Sequence, residues 1–287
     1  MAAPLLPIEP PVFTGVEPYG IFAAATVIEN AAGAILGGVQ YAYRCDPATD
    51  TWPGPCPDNE PPPPGALKTL PANGQDIIMA RPFAVYAFET CPLVGYTEPE
   101  LEALARDSLR RGEQHEVERA MWLGRGDHEG FAQRDDVTVL SDTAVTPVEA
   151  LALAEYWMGL QDGLGVFHVN PIAATPSRFG GGVRLDGAVY RSTMGHAMSF
   201  GGGYPLTGPD GEAPPTGAAW MYITRGVTIY RSSISVQSGL RPQSNEHDSR
   251  AERMYIPVVP CPIAAVPVQV LCGTNTVPEL PAPEVTA

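Results

Sequence analysis

The sequence predicts an α+β protein in which one very long helix stands among many short strands. The first observation is the segment TEPELEALARDSLRRGEQHEVERAMWLG, residues 97–124, where apolar residues recur at three- and four-residue steps. The second is a shorter helical pattern at residues 146–160 with its own start signal. The third is that 32 prolines and 30 glycines divide the rest of the chain into short apolar runs, which is typical of strands joined by turns.

The first third of the chain has the weakest periodicity. Residues 1–19 are rich in proline, which predicts an extended arm that needs a neighbouring molecule to bury it. Residues 20–28 and 35–45 are apolar, and their alanines and glycines leave helix and strand open. Residues 46–74 form a polar, proline-dense loop of a length that is uncommon inside a compact domain. Residues 76–91 are then predicted to form a strand that leads into the long helix.

The long helix has a local signal at each end. Thr97 and Glu100 match a capping box, and Gly124 supplies the stop. Charges of both signs occupy its polar faces, which suits solvent and also salt-bridged contact with a neighbouring copy. We therefore predict a structural spine, with a solvated helix of a monomer as the alternative. The apolar stripe is roughly 40 Å long and consists of Leu101, Leu104, Ala105, Leu109, Gly112, Val117, Ala120 and Met121.

A second capped helix follows a short strand predicted at residues 135–141. Thr146 and Glu149 match a capping box with Pro147 at the first helical position. The pattern runs to Leu160 and carries bulky residues on more than one face, so we predict a helix that is buried on most sides.

The last part of the chain is predicted to be rich in strands. Residues 165–171 form a strand, a short segment follows at 172–179, and glycine-rich hairpins follow at 180–191 and 196–204. A surface loop at 207–217 precedes strands on either side of Arg225-Gly226, within residues 218–237. A further strand pair broken by prolines spans 251–272, and the tail after Gly273 is predicted to be extended.

Composition argues against several kinds of function. The formal net charge is −15 and the isoelectric point is near 4.6, so direct binding to nucleic-acid phosphates would meet repulsion. Lys68 is the only lysine, which disfavours Schiff-base and Walker-type sites. The first residues lack the basic region of a secretory signal, and no apolar run approaches membrane-spanning length. We expect no membrane association and folding in the cytoplasm.

The five cysteines form no CxxC pair and have no nearby histidine at metal-ligand spacing. We therefore predict no metal and no cofactor. Cys45 and Cys56 flank a loop that a disulfide could close, but buried free thiols are the favoured interpretation.

No catalytic residue is predicted, and the chain is not expected to be an enzyme. His115 with Glu116, and Asp127 with His128, could be drawn as acid/base pairs, but interspersed charges more often form surface ion pairs. The triple glycines at 180–182 and 201–203 lack the frame of a phosphate loop and are predicted to be turns. A GxSxG elbow is also missing from the sequence.

Several short motifs occur in an order that points to one family. They are His168-Val169-Asn170-Pro171, Thr193-Met194-Gly195-His196, Gly202-Gly203-Tyr204, a strand pair at 219–232 with Arg225 inserted before its glycine, and a closing strand at 250–270. With the arm, the long loop and the spine helix, this order resembles the major capsid proteins of tailed bacteriophages with the Hong Kong 97 fold. The resemblance lies in the order of the motifs, because each one alone is glycine- and aromatic-rich punctuation.

The resemblance implies a division of the chain. Residues 1–30 would be the N-terminal arm and 31–82 the extended-loop region. Residues 83–145 would form the peripheral domain with a spine helix at 98–124, 146–250 mainly the axial domain, and 251–287 the return to the peripheral domain and the tail.

The resemblance also implies a structural function. The chain would assemble into pentamers and hexamers of an icosahedral shell that encloses double-stranded DNA without sequence-specific binding. It would be a virion protein assembled in the host cytoplasm, with scaffolding, portal or decoration proteins as candidate partners. An encapsulin-type nanocompartment shell and a head-decoration or tail protein are the alternatives. The family's namesake links a loop lysine to an asparagine of its neighbour, and Lys68 lies in the matching region, although an ordinary surface lysine is the favoured interpretation.

Overall fold

Two β-sheets, joined by the long helix, make up most of the computed structural model, which describes residues 19–29, 37–43, 76–92, 96–161, 163–241 and 246–270. The described helices are α1 (Ile21–Ala24), α2 (Glu98–Leu123) and α3 (Pro147–Gly159). The described strands are β1 (Thr26–Glu29), β2 (Val39–Tyr43), β3 (Asp76–Ala80), β4 (Phe83–Pro92), β5 (Val137–Val139), β6 (Gly165–Val169), β7 (Val183–Asp186), β8 (Val189–Ser192), β9 (Ala197–Phe200), β10 (Ala218–Arg225), β11 (Thr228–Arg231), β12 (Ser235–Arg241), β13 (Glu246–Val258) and β14 (Ile263–Gln269).

Sheet 1 is built around the long strand β13. Its order is β1-β11-β13-β12, and β4 pairs with β13 as well. Helix α2 packs against β4, β12 and β13. Buried side chains of β4, β13 and α2, including Val85, Tyr255 and Leu109, form one core with the apolar residues of α1.

Sheet 2 has the order β5-β14-β10-β6-β9-β8-β7. One face packs against α3 through Phe167, Met221 and Val266. The opposite face contributes Val166 and Tyr222 to the core that also contains the end of α2. The C-terminal end of the long helix therefore belongs to the packing of both sheets.

The predicted spine helix is confirmed over Glu98–Leu123. At its start the Thr97 backbone N–H donates to the Glu100 carboxylate over 2.7 Å, and Gly124 ends it at a φ of 81°. The predicted apolar stripe needs correction at two places. Gly112 is exposed, and the buried face contains Glu113 and Glu118, because polar groups on the facing elements pair with both carboxylates.

The second helix is confirmed over Pro147–Gly159, with the predicted capping box at Thr146. The prediction that it is buried on most sides is wrong. Tyr156 is 69% exposed and Leu160 56% exposed, because sheet 2 covers one side of α3 and no described element covers the other.

Most segments predicted as strands are strands, but several of them pair with a different strand from the one predicted. The segments either side of Arg225-Gly226 are strands, but β10 lies in sheet 2 and β11 in sheet 1, so this dipeptide is a crossing point between sheets. The strand pair predicted across 251–272 is likewise split between β13 and β14, which lie in different sheets. Strand β10 lies inside the core, since every residue from Ala218 to Arg225 is buried.

Other segments differ in detail. Residues 20–28, left open between helix and strand, form the short α1 followed by β1. The hairpin predicted at 180–191 is confirmed as β7 and β8. The hairpin predicted at 196–204 is wrong, because that segment contains one strand, β9, which pairs with β8 and β6. The predictions for the arm at 1–18, the loop at 46–74, the tail after Gly273, Lys68 and the Cys45–Cys56 pair lie outside the described residues. No helix within the described ranges is long and apolar enough to cross a membrane.

Candidate functional site

Two sequence motifs meet at a buried histidine on β6. The His168 Nδ1 atom lies 3.0 Å from the Tyr204 hydroxyl, and its Nε2 atom lies 3.0 Å from the Thr224 hydroxyl. The Tyr204 hydroxyl also lies 2.8 Å from that of Ser199. The side-chain amide of Asn170 donates to the Tyr204 carbonyl. The HVNP strand and the GGY turn are therefore parts of one hydrogen-bond network.

The third motif joins the same sheet one strand away. The His196 Nδ1 atom accepts a hydrogen bond from the Gly165 backbone N–H over 3.0 Å. The Thr193 hydroxyl donates to the Gly182 carbonyl over 3.2 Å. These contacts fix the turn between β8 and β9 against β6 and β7.

His168 is placed for structure, not for proton transfer. Its side chain is fully buried, and burial lowers the pKa of His168 to about 3, so the ring is neutral at pH 7. Both ring nitrogens have partners, and the ring packs 4.9 Å from that of Phe131. A general base must reach a substrate proton, and this ring has no exposed surface through which to do so.

A buried carboxylate joins the spine helix to two other elements. One oxygen of Glu118 accepts the Ile21 backbone N–H over 3.0 Å, and the other accepts the Gly203 backbone N–H over 3.0 Å. The residue is 1% exposed. Glu118 therefore ties the start of α1 and the glycine turn after β9 to the C-terminal part of α2.

The triple glycine at 201–203 is a turn, as the sequence predicted, and packing explains its composition. A Cβ atom on Gly203 would lie 2.1 Å from the His115 carbonyl oxygen, and one on Gly201 would lie 2.4 Å from the Glu118 carboxylate. Gly202 has open space instead. The turn therefore presses its backbone directly onto α2.

A second buried carboxylate pairs α2 with sheet 1. Glu113 accepts hydrogen bonds from Arg253 over 3.1 Å and from the Tyr255 hydroxyl over 2.6 Å. The Arg231 guanidinium lies 3.7 Å away and also pairs with Glu29 of β1. The arginine lowers the pKa of the Glu29 carboxyl. Burial of the Tyr255 hydroxyl raises the pKa of Tyr255, and the negative charge of Glu113 raises it further.

The acid/base pairs considered in the sequence are not assembled into a site. His115 lies 3.4 Å from Glu116 on an exposed part of α2, as expected of a surface pair. Asp127 is exposed, whereas the His128 ring is buried 5.3 Å from that of Phe83. Burial lowers the pKa of His128 to about 4, so the ion-pair interpretation is wrong for this residue.

Metal ligands are not gathered anywhere in the described ranges, which contain no group of three or more His, Cys, Asp or Glu residues placed to hold an ion. Of the cysteines placed there, Cys91 is a free thiol and Cys261 is disulfide-bonded.

Three of the described elements each expose two or more large apolar side chains. The β3 surface is Ile77 and Met79, and the β4 surface is Tyr86 and Phe88. The α3 stripe lies on the second helix and its following turn and consists of Val148, Ala152, Tyr156, Leu160 and Leu164. Contiguous exposed apolar side chains mark surfaces that contact another molecule.

The β4 surface mixes aromatic and charged groups. Tyr86 lies opposite Glu252 and Phe88 opposite Arg250 in the register of β4 and β13. The Arg241 guanidinium lies 5.4 Å from the centre of the Phe88 ring. Arginine and aromatic residues are enriched in protein interfaces, so this face is also suited to a protein partner.

Arg225, which the sequence singled out as an insertion, holds the β2–β3 hairpin. Its guanidinium donates to the Tyr43 hydroxyl over 2.6 Å and lies 5.5 Å from the centre of that ring. Tyr41, two residues earlier in β2, also holds the hairpin, because its hydroxyl donates to the Val259 carbonyl over 3.4 Å. The crossing point between the sheets is thus also the attachment point of the hairpin.

Solved structures share this arrangement over nearly the whole chain. The capsid of an empty GTA particle is 14% identical and matches 93% of this chain and 96% of its own at a TM-score of 0.58. The chain has the Hong Kong 97 capsid fold. An encapsulin shows the same capsid fold: the holo-SrpI encapsulin complex from Synechococcus elongatus PCC 7942 is 14% identical and matches 96% of both chains at a TM-score of 0.54.

A chain from Microbacterium phage Oxtober96 also matches this fold. It is 12% identical and matches 93% of this chain and 95% of its own at a TM-score of 0.52. No family model matches the sequence, and no curated protein matches it significantly. The capsid fold is therefore preserved here at an identity where sequence comparison no longer detects it.

Proposed function

We propose that this chain is the major capsid subunit of a tailed bacteriophage. In this proposal, copies assemble into pentamers and hexamers of an icosahedral shell that encloses double-stranded DNA. The observation that carries it is the combination of the capsid fold with exposed apolar surfaces on three separate elements. A shell repeats one contact between copies many times, so each subunit needs several distinct surfaces for its neighbours.

The charge of the chain supports a DNA container. A formal net charge of −15 makes a wall of many copies strongly negative, and DNA phosphates do not adhere to such a wall. Packaged DNA would thus stay free to leave. The chain would act in the virion after assembly in the host cytoplasm, with scaffolding, portal or decoration proteins as candidate partners.

We keep the proposed division of the chain into an arm (1–30), an extended loop (31–82), a peripheral part (83–145 and 251–287) and a mainly axial part (146–250). Strands β6 to β10, which all lie within the proposed axial range, belong to one sheet, sheet 2, and this supports the proposed division. Strands β11 and β12 of the same range join sheet 1 with α2, so the peripheral part also borrows strands from it.

An encapsulin-type shell is the second candidate, because the SrpI encapsulin matches this chain at a TM-score of 0.54. Such a shell would hold a protein cargo and no genome. A head-decoration or tail protein is disfavoured by the long helix α2 that packs against both sheets.

The contents of purified particles test the proposal. Particles from phage-infected cells would be treated with nuclease and protease, opened, and analysed for nucleic acid and for protein. The phage capsid proposal predicts protected double-stranded DNA, with this chain as the most abundant protein. Particles that protect an enzyme and no DNA would favour the encapsulin alternative. Absence of this chain from every particle would overturn both.

A further inference from the structure

The α3 stripe is an exposed helix face made of apolar residues, whereas the exposed face of a helix usually carries polar and charged residues. Its members Val148, Ala152, Tyr156 and Leu160 repeat every four residues, and Leu164 continues the spacing beyond the helix end. Residues at this spacing lie above one another on a helix and form a ridge that packs into grooves of a partner. The ridge is about 18 Å long within the helix, which is the scale of the centre of a subunit interface.

Charge is nearly absent from this face. Helix α3 contains no lysine or arginine, and its two carboxylates accept hydrogen bonds from their own chain. Glu149 accepts the Thr146 backbone N–H over 2.9 Å, and Glu155 accepts the Met194 backbone N–H over 3.0 Å. Both carboxylates are therefore engaged within the chain. The helix has no positive side chain that could pair with an acidic ligand.

The Glu155 contact also extends the apolar face. It holds the turn between β8 and β9 beside the helix, and Met194 in that turn is 68% exposed. Interface centres are depleted of charge and enriched in tyrosine and methionine. The α3 stripe together with Met194 has this composition.

We propose that the α3 stripe and Met194 form the apolar centre of a contact between neighbouring copies of this chain. The occupant follows from the charge of the protein: two copies that each carry −15 repel over most of their surfaces, and this nearly uncharged face lets them approach at the lowest electrostatic cost. The proposal rests on the proposed shell function and names one surface that the shell uses.

Glutamate substitutions test the contact. Tyr156→Glu and Leu160→Glu place new negative charge within the stripe, and Leu185→Glu places the same charge at a leucine of β7 that is 57% exposed and lies outside it. Sedimentation velocity would measure the assembled fraction of each variant, and circular dichroism its folding. We expect at least about a tenfold loss of assembly for both stripe variants and assembly equal to the unmodified chain for Leu185→Glu.

Two results would overturn the inference while leaving the shell proposal intact: stripe variants that assemble normally, or an equal loss with Leu185→Glu. An unmodified chain that never assembles would instead contradict the shell proposal itself, and the inference with it.

Thiol labelling gives a second measurement that does not depend on disrupting the contact. Ala152→Cys lies in the stripe and Ala188→Cys lies in the exposed turn between β7 and β8. Labelling with a maleimide, read for each site by peptide mass spectrometry, would compare assembled and dissociated protein. We expect assembly to lower the rate of maleimide labelling at least about fivefold in the Ala152→Cys variant and to leave it unchanged in the Ala188→Cys variant. The proposal would be overturned if the Ala152→Cys site were labelled equally fast in assembled and dissociated protein, or if it were already protected in the dissociated chain.

Discussion

At the scale of single residues, the glycine turn after β9 offers the sharpest test of how α2 is packed. Gly203→Ala places a methyl group 2.1 Å from the His115 carbonyl oxygen, so the turn or the helix must move. We expect a loss of about 2 kcal/mol in the free energy of unfolding. Chemical denaturation of the dissociated subunit measures this quantity. Gly202→Ala is the matched control, because its Cβ meets open space and should change stability by less than about 0.5 kcal/mol.

Equal effects of the two substitutions would mean that the turn does not press on α2 as described. A large loss for both would point to the glycine backbone itself, and no loss for either would point to a looser contact.

The buried histidines predict a pH dependence with a defined sign. Burial lowers the pKa of His168 to about 3 and that of His128 to about 4, whereas an unfolded histidine titrates near about 6.5. At a pH between the folded and the unfolded pKa, the histidine is protonated in the unfolded chain but neutral in the folded chain. The free energy of unfolding therefore falls as the pH falls. Each of the two histidines should contribute a loss of about 2 kcal/mol from about pH 7.5 to about pH 5.

Urea unfolding at several pH values would measure this loss in His168→Gln and in the unmodified subunit. The variant should lose about 2 kcal/mol less over the same interval, whatever its stability at neutral pH. His115→Gln is the matched control, since it makes the same substitution at a ring that is exposed beside Glu116. Identical slopes for His168→Gln and the unmodified chain would contradict a neutral, buried His168.

Among single residues, the sequence identified the motif positions but not their partners. His168, Asn170 and Tyr204 stood out by their motifs, while the hydrogen bonds that join the HVNP strand to Tyr204 span 36 positions from His168 and 34 from Asn170. Glu118 was missed because a glutamate in a charged helix is usually a surface residue. The triple glycine facing it was the available signal, since glycines permit close backbone approach.

At the scale of elements, the buried ion network between α2 and sheet 1 should stabilise their packing. Glu113→Ala leaves the Arg253 and Arg231 guanidinium groups without the carboxylate that both contact. Removing one partner of a buried ion network costs about 3 kcal/mol or more, so we expect a loss of this size in the free energy of unfolding.

The control for this element is Asp107→Ala on the same helix. Asp107 pairs with Arg110 over 3.1 Å at an exposed position, where an ion pair contributes less than about 1 kcal/mol. Thermal or urea unfolding would compare the two variants. A Glu113→Ala variant as stable as Asp107→Ala would contradict the role assigned to the network.

Elements with local signals were predicted well, and elements defined by pairing were not. Both capping boxes lie within four residues, so Thr97 and Thr146 marked their helices correctly. Strand β12 was recognised only at its first residues, because its ladder with β13 from Ser235 to Arg241 depends on a distant segment. The exposure of Tyr156 could not be predicted, since an apolar side chain on a helix gives the same signal whether its cover is this chain or another molecule.

At the scale of the whole molecule, the order of the motifs predicted the fold, and the topology lay beyond the sequence. The chain passes from sheet 2 to sheet 1 at Arg225-Gly226 and returns before β14. Both crossings were predicted as strand pairs, because consecutive strands joined by a short connection usually lie side by side in one sheet. The described surfaces, however, follow directly from the fold: α3, β3 and β4 each expose apolar side chains that one copy leaves uncovered.

The most direct test of the shell proposal is electron microscopy of the purified chain, with size-exclusion chromatography to separate its assembly states. A subunit of 30.5 kDa that forms a shell should elute far ahead of a monomer and appear as closed polyhedral particles, or as rings of five and six copies. A homogeneous, folded monomer at every concentration, both alone and from infected cells, would contradict the proposal that copies of this chain build a shell.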